Sequence, residues 1–98
     1  MYPFRGNING SVYSIAEDLP MSIDYFLLAN IQATPVVVNV YLIDTFNNYL
    51  SIAPANLAIN ASEMYEGTGR LVMKGQDRIL IQSNGSVGYN FTINNIEP

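Results

Sequence analysis

The sequence predicts an all-β fold: an antiparallel β-sandwich, jelly-roll-like, of about eight short strands. Three observations predict it. Apolar and polar residues alternate in short runs bounded by turn residues at regular spacing. Helical spacing is nearly absent, and its best stretch, "PANLAINASEMYE" (54–66), is interrupted by Asn56 and Asn60. The 98 residues are 49% hydrophobic against 12% charged, enough apolar material for one core and the reverse of a disordered composition.

Residues 1–10, "MYPFRGNING", hold two aromatics, a proline, two glycines and two asparagines before regular alternation begins. They read as an extended arm, with a single domain filling 11–98. Such an arm is either a frayed terminus or, because two rings so near a terminus point poorly into water, one whose Tyr2 and Phe4 are expected to anchor on a neighbouring subunit. Strands are then expected near 11–16, 21–30, 35–44, 47–53, 56–60, 70–74, 77–83 and 87–97. In 21–30 the inner face is ambiguous, because Ile23, Tyr25 and Leu27 compete with Phe26 and Leu28.

"VVVNVYLID" (36–44) is apolar on both sides: Val36, Val38, Val40 and Leu42 on one, Val37, Tyr41 and Ile43 on the other. One sheet packed on another buries only one side of each strand. The even-numbered residues are therefore assigned to the core, and Val37, Tyr41 and Ile43 to a partner. In the last strand Val87, Tyr89, Phe91 and Ile93 alternate with Gly88, Asn90, Thr92 and Asn94, which predicts one wet face. Asn84-Gly85 predicts a type I′ hairpin making 77–83 and 87–97 antiparallel neighbours. "TFNN" (45–48) and "KGQD" (74–77), the latter with Gly75, are the other tight connections. Pro20, Pro35 and Pro54 fall at strand edges or in loops, where a missing N–H does little harm.

The composition narrows the function. A net charge of -4, with Arg5, Arg70, Lys74 and Arg78 the only basic residues, opposes broad contact with phosphate backbones, so no nucleic-acid partner is expected. Without cysteine there is no disulfide, thiolate nucleophile or thiolate-bound metal. Without histidine there is no imidazole base or ligand. The carboxylates Glu17, Asp18, Asp24, Asp44, Glu63, Glu66, Asp77 and Glu97 lie mostly at strand ends and turns and read as turn formers. "GTG" (67–69) lacks the rest of a phosphate loop. Calcium ligation by Glu17, Asp18 and Asp24, or by Asp44, would need a denser Asp/Asn loop than this chain has. No enzyme, metal or cofactor is expected. Tyr13, Tyr25, Tyr41, Tyr49, Tyr65 and Tyr89 offer rings for stacking on sugars, against the ordinary role of cross-strand packing. The glycosylation-like tripeptides at Asn9, Asn60, Asn84 and Asn90 reflect the abundance of asparagine. There is no signal-peptide pattern and no bilayer-length apolar run, so synthesis in a cytoplasm and no membrane contact are expected.

"VNVYLID" (38–44), "NLAINASEMYE" (56–66) and "RLVMKGQDRILIQSNGSVGYNFTINNIE" (70–97) occur in an order that resembles a module of small structural proteins in tailed bacteriophage particles, and "VYSIAEDLPMSIDYFLLAN" (12–30) is similar to its opening. That pattern has glycine directly before aspartate where this chain has Gly75-Gln76-Asp77, and "P-A-G" where it has Ala16-Glu17-Asp18; both departures fall in turns. The resemblance implies a non-enzymatic virion protein. The leading expectation is an auxiliary or decoration capsid protein, a homo-oligomer, binding the major capsid protein or its own copies through apolar strand faces and the N-terminal arm. The alternative is a neck, tail or fibre component acting as an adaptor or host-glycan-binding module.

Overall fold

One long strand organises the molecule. The computed structural model describes residues 2–14 and 20–95, apart from the side chains of residues 2, 3, 69, 70 and 95. Strand β7 (Arg78–Asn95) is 18 residues long. Straight, at about 3.3 Å per residue, it would measure roughly 60 Å. The longest dimension of the molecule is 44 Å, so the strand has to bend. It bends at 83–86. There the pairing with β1 (Tyr2–Tyr13) jumps from Asn9 opposite Ser86 to Ser11 opposite Gln82, leaving Gly10 alone against the residues between. Gly10 meets the jump with a φ of 125°, open only to glycine at no steric cost.

On its other side β7 has two partners laid end to end. β2 (Met21–Asn30) pairs with Val87–Asn95, and β3 (Val36–Ile43) pairs with Arg78–Ser83. β4 (Tyr49–Ser51) and β5 (Leu57–Ile59) flank β3, and β6 (Met64–Met73) flanks β2. All pairs are antiparallel, giving one seven-stranded sheet and no helix among the described residues. The sheet curls at the bend so that both halves feed one core: Phe4, Ile23, Phe26, Leu28, Phe91 and Ile93 from one, Val36, Val38, Val40, Leu42, Ile79 and Ile81 from the other.

Aligned rows build that core. Phe4, Phe91, Phe26 and Gly67 lie side by side across four strands. Phe26 stacks on Phe91 at 4.9 Å and 9°, and Phe4 tilts against Phe91 at 5.3 Å. The Phe26 ring occupies the space a side chain on residue 67 would need, which is why that position is glycine. Gly6 lies opposite Tyr89, and a Cβ there would come within 3.2 Å of the Tyr89 hydroxyl, a tight contact and not an overlap.

Several expectations change. Residues 2–10 are not an arm: β1 pairs with β7 on both sides of Gly10, and Phe4 is 6% exposed in the core. The Asn84-Gly85 hairpin is replaced by the bend inside β7, and 78–83 and 87–95 do not pair with each other. Side chains stand in for the lost ladder bonds: Asn84 Oδ1 accepts from Val37 N at 2.8 Å and Gln32 Oε1 from Ser86 N at 2.8 Å. A side chain at residue 85 would displace the Gln32 amide, which lies where a Cβ would go and bonds Ser86 N. The strand expected at 70–74 begins at Met64. Residues 54–66 form turns and strand, with β5 inside the strand expected at 56–60. At 74–77 the left-handed residue is Gln76 (φ 71°), with Asp77 N bonded to Lys74 O, and the turn leads from β6 across to β7 without a hairpin.

The ambiguity in 21–30 has a structural answer. β2 bulges at Asp24, between the Ile23 and Tyr25 pairings. The extra residue flips side-chain parity, so Met21 and Ile23 point inward before it and Phe26, Leu28 and Asn30 after it.

Candidate protein interface

The curl brings β4 and β6 to the same side without pairing them. Between them runs an apolar seam. A cleft of about 500 Å³ opens at one end, lined among others by Leu42, Phe46, Tyr49, Leu50, Leu71 and Val72. A second of about 290 Å³ continues along Ile23, Phe26, Leu50, Ile52, Gly67 and Leu71. Around the seam Phe46 is 83% exposed, and Tyr49, Leu50 and Val72 are more than half exposed. An apolar patch of this kind is the ordinary mark of a contact surface.

Two turns frame the larger cleft, and carboxylates hold both. Asp44 Oδ1 accepts from Phe46 N (2.8 Å) and Asn48 N (2.9 Å), and Oδ2 from Asn48 Nδ2 (3.0 Å). This lets Asn47 adopt φ 61° and presents Phe46 at the tip. The same bonds, led by the Asn48 backbone, hold the Asp44 carboxyl below the usual carboxylate range, so it stays ionised and is a poor proton donor. Asp77 Oδ2 accepts from Lys74 N at 3.0 Å. The acidic groups of the cleft are thus occupied as turn locks.

The outer face of β3 is covered in part by its own chain. Tyr41, Leu80 and Tyr13 form one row, and Ile43 lies between Tyr49 and Arg78 in the next. Tyr41 meets Tyr49 edge-on at 5.6 Å, and the Arg78 guanidinium sits 5.0 Å from the centre of the Tyr13 ring. Beneath this roof of rings Ile43 and Leu80 are each 1% exposed.

The five residues assigned to partner contact therefore separate. Phe4 is core and Ile43 is covered within the chain, so neither is available to a partner. Val37 and Tyr41 are half-buried on the outer face, Val37 beside a shallow groove with Asn39 and Gln82. Tyr2 pairs through its backbone with Ile93. The tyrosines separate too: Tyr13, Tyr41 and Tyr49 share the outer patch, Tyr65 and Tyr89 pack against the core, and Tyr25 bonds Glu66 on the other half. Burial first, then the Glu66 charge and hydrogen bond, raise the Tyr25 pKa. Glu17 and Asp18, weighed for calcium, lie outside the described residues. Among the described residues no three His, Cys, Asp or Glu side chains gather as a metal site, and no helix is long and apolar enough to cross a membrane.

The seam residues Phe46, Tyr49, Leu50, Leu71 and Val72 escape a search for alternating faces. One signal was present: Phe46 is a large ring inside a polar turn, "DTFNN" (44–48), where burial within the turn is impossible. In comparisons with known proteins, no family model, no curated protein and no solved structure matches this chain.

Proposed function

We propose that this chain is a non-enzymatic structural protein of a virion, an auxiliary capsid protein of a bacteriophage by its sequence resemblance, and that it works by docking on a capsid or other particle protein. The observation that carries the reading is the apolar seam between β4 and β6, with Phe46, Tyr49, Leu50 and Val72 exposed around it. The occupied state of Asp44 and Asp77 supports binding over acid–base chemistry at this place. A standard interface takes about 800 Å² from each partner. Against a total surface of 5660 Å² that is roughly one-seventh of this small chain, so the seam and its rims would be used together. Repetition over a shell raises the effective affinity through multivalency.

The test is quantitative mass spectrometry of particles purified from a host that produces this chain, with wild type and the Phe46→Ser/Leu50→Ser pair. Both positions are exposed, so folding should survive the change. Wild type is expected at fixed stoichiometry and the variant to be lost. Absence of the wild-type chain from purified particles overturns the reading. A second reading, an adaptor or host-glycan module at the neck, tail or a fibre, is favoured by the Tyr13, Tyr41 and Tyr49 patch, and glycan binding abolished by Tyr49→Ala would support it.

A further inference from the structure

We propose that copies of this chain join head to tail by strand addition, the free edge of β6 in one copy pairing antiparallel with the free edge of β1 in the next. This rests on the reading of the chain as a structural assembly protein, and it names the contact. Neither outer edge has a strand partner among the described residues.

The half of the sheet with order β1, β7, β2, β6 has the geometry for it. Neighbouring strands alternate in direction, so with four strands the two edges run oppositely. A copy displaced sideways therefore presents β1 antiparallel to β6. The alternation of hydrogen-bonded and non-bonded pairs also continues across an even number of strands, so an in-register row keeps both edges in phase. From Phe4 to Asn7 the rows carry no bulge: Phe4–Phe91–Phe26–Gly67, Arg5–Asn90–Leu27–Glu66, Gly6–Tyr89–Leu28–Tyr65 and Asn7–Gly88–Ala29–Met64. Pro3 has no N–H to give and ends the pairing beyond them.

Charge chooses the partner. Arg5 and Glu66 occupy the same row at opposite edges and both are exposed. Continuing the row sets Glu66 of one copy directly opposite Arg5 of the next, the separation at which opposite charges favour a strand pair and like charges oppose it. A two-fold pairing of β6 with β6 centred on Glu66 would oppose two carboxylates, and one of β1 with β1 centred on Arg5 two guanidiniums. The adjoining rows fit as well. Each sets a ring beside a glycine, Phe4 by Gly67 and Tyr65 by Gly6, extending the Phe26–Gly67 and Gly6–Tyr89 pairs already inside each copy. Such a contact is heterologous, so it closes into a ring or runs on as a filament.

The experiment is sedimentation velocity on the full chain over a wide range of concentration, for wild type, Arg5→Glu, Glu66→Arg and the double exchange, with circular dichroism confirming that each is folded. Wild type should associate, each single reversal should weaken association about tenfold or more, and the double exchange should restore it. A wild-type chain that remains monomeric overturns the edge pairing, and so do single reversals without effect or a double exchange that fails to rescue. None of these results touches the particle reading, which is decided by particle composition. Charge rescue in a chain absent from particles would keep the edge pairing and overturn the virion assignment.

Discussion

Gly67→Ala tests whether the core is built from ring-over-glycine rows. Gly67 does not have a positive φ, so its backbone would accept alanine; the obstacle is the Phe26 ring edge, which occupies the Cβ position at far less than contact distance. Phe26 cannot retreat freely, because its ring stacks on Phe91 at 4.9 Å. Overpacking of this kind costs about 1–3 kcal/mol, and disturbing the stacked pair adds about 0.5–1.5 kcal/mol. Replacing glycine within a strand returns about 0.5–1 kcal/mol of backbone entropy. The net loss is about 2 kcal/mol, or a fall in Tm of roughly 8–16 °C for a domain of this size. Urea unfolding of Gly67→Ala, Phe26→Leu and the double variant measures it. With the ring edge gone the alanine should be neutral or slightly stabilising, giving a coupling of about 2 kcal/mol. Equal losses in both backgrounds, or no loss with Phe26 present, would refute the steric argument.

Asn30, 6% exposed, donates to the Thr34 and Ile59 carbonyls and accepts from Gln32 N, so Asn30→Asp removes both donors and should destabilise by about 3 kcal/mol in denaturant unfolding. Ile43→Ala should cost about 2–4 kcal/mol in the isolated chain, because the residue is buried beneath the chain's own rings; a change within about 0.5 kcal/mol would return it to the partner face. Asp44 has a lower pKa folded than its ordinary 3.8, so the unfolded chain binds the proton more readily and this contribution is complete above 3.8. The stability difference between wild type and Asp44→Asn should therefore be largest near neutral pH and shrink as pH falls below 3.8 through the folded value, read from thermal melts across acid pH; a difference independent of pH would contradict the role assigned to the charge.

Period-two alternation is enough to place β2 over 21–30 and to put Val36, Val38, Val40 and Leu42 on the core side. It fails where glycine stands at an apolar position. Phe4, Gly6 and Ile8 alternate with Arg5, Asn7 and Asn9, and Tyr65 and Gly67 alternate with Glu66 and Thr68, but each strand is completed by a ring from its neighbour. Local sequence cannot show that neighbour. The Asn84-Gly85 pair misleads for a related reason: Gly85 answers to the Gln32 amide, which reaches it from a distant part of the chain, and Asn84 answers to the Val37 N–H. The seam was legible only through Phe46, since Leu50 and Leu71 look like ordinary core residues until the curl leaves them at an open border.

That open border follows from how the fold is made. A curled sheet without covering helices ends in edges, and exposed edges invite indiscriminate pairing unless charge or proline interrupts them. Here Pro3 and Arg5 stand on β1 and Glu66 on β6. In a chain only 12% charged, one arginine and one glutamate aligned in a single row are enough to distinguish partners. On each edge alone they repel an identical edge, which protects the monomer. Across two different edges they attract, so in the proposed head-to-tail pairing the residues that guard against random aggregation would also select the register.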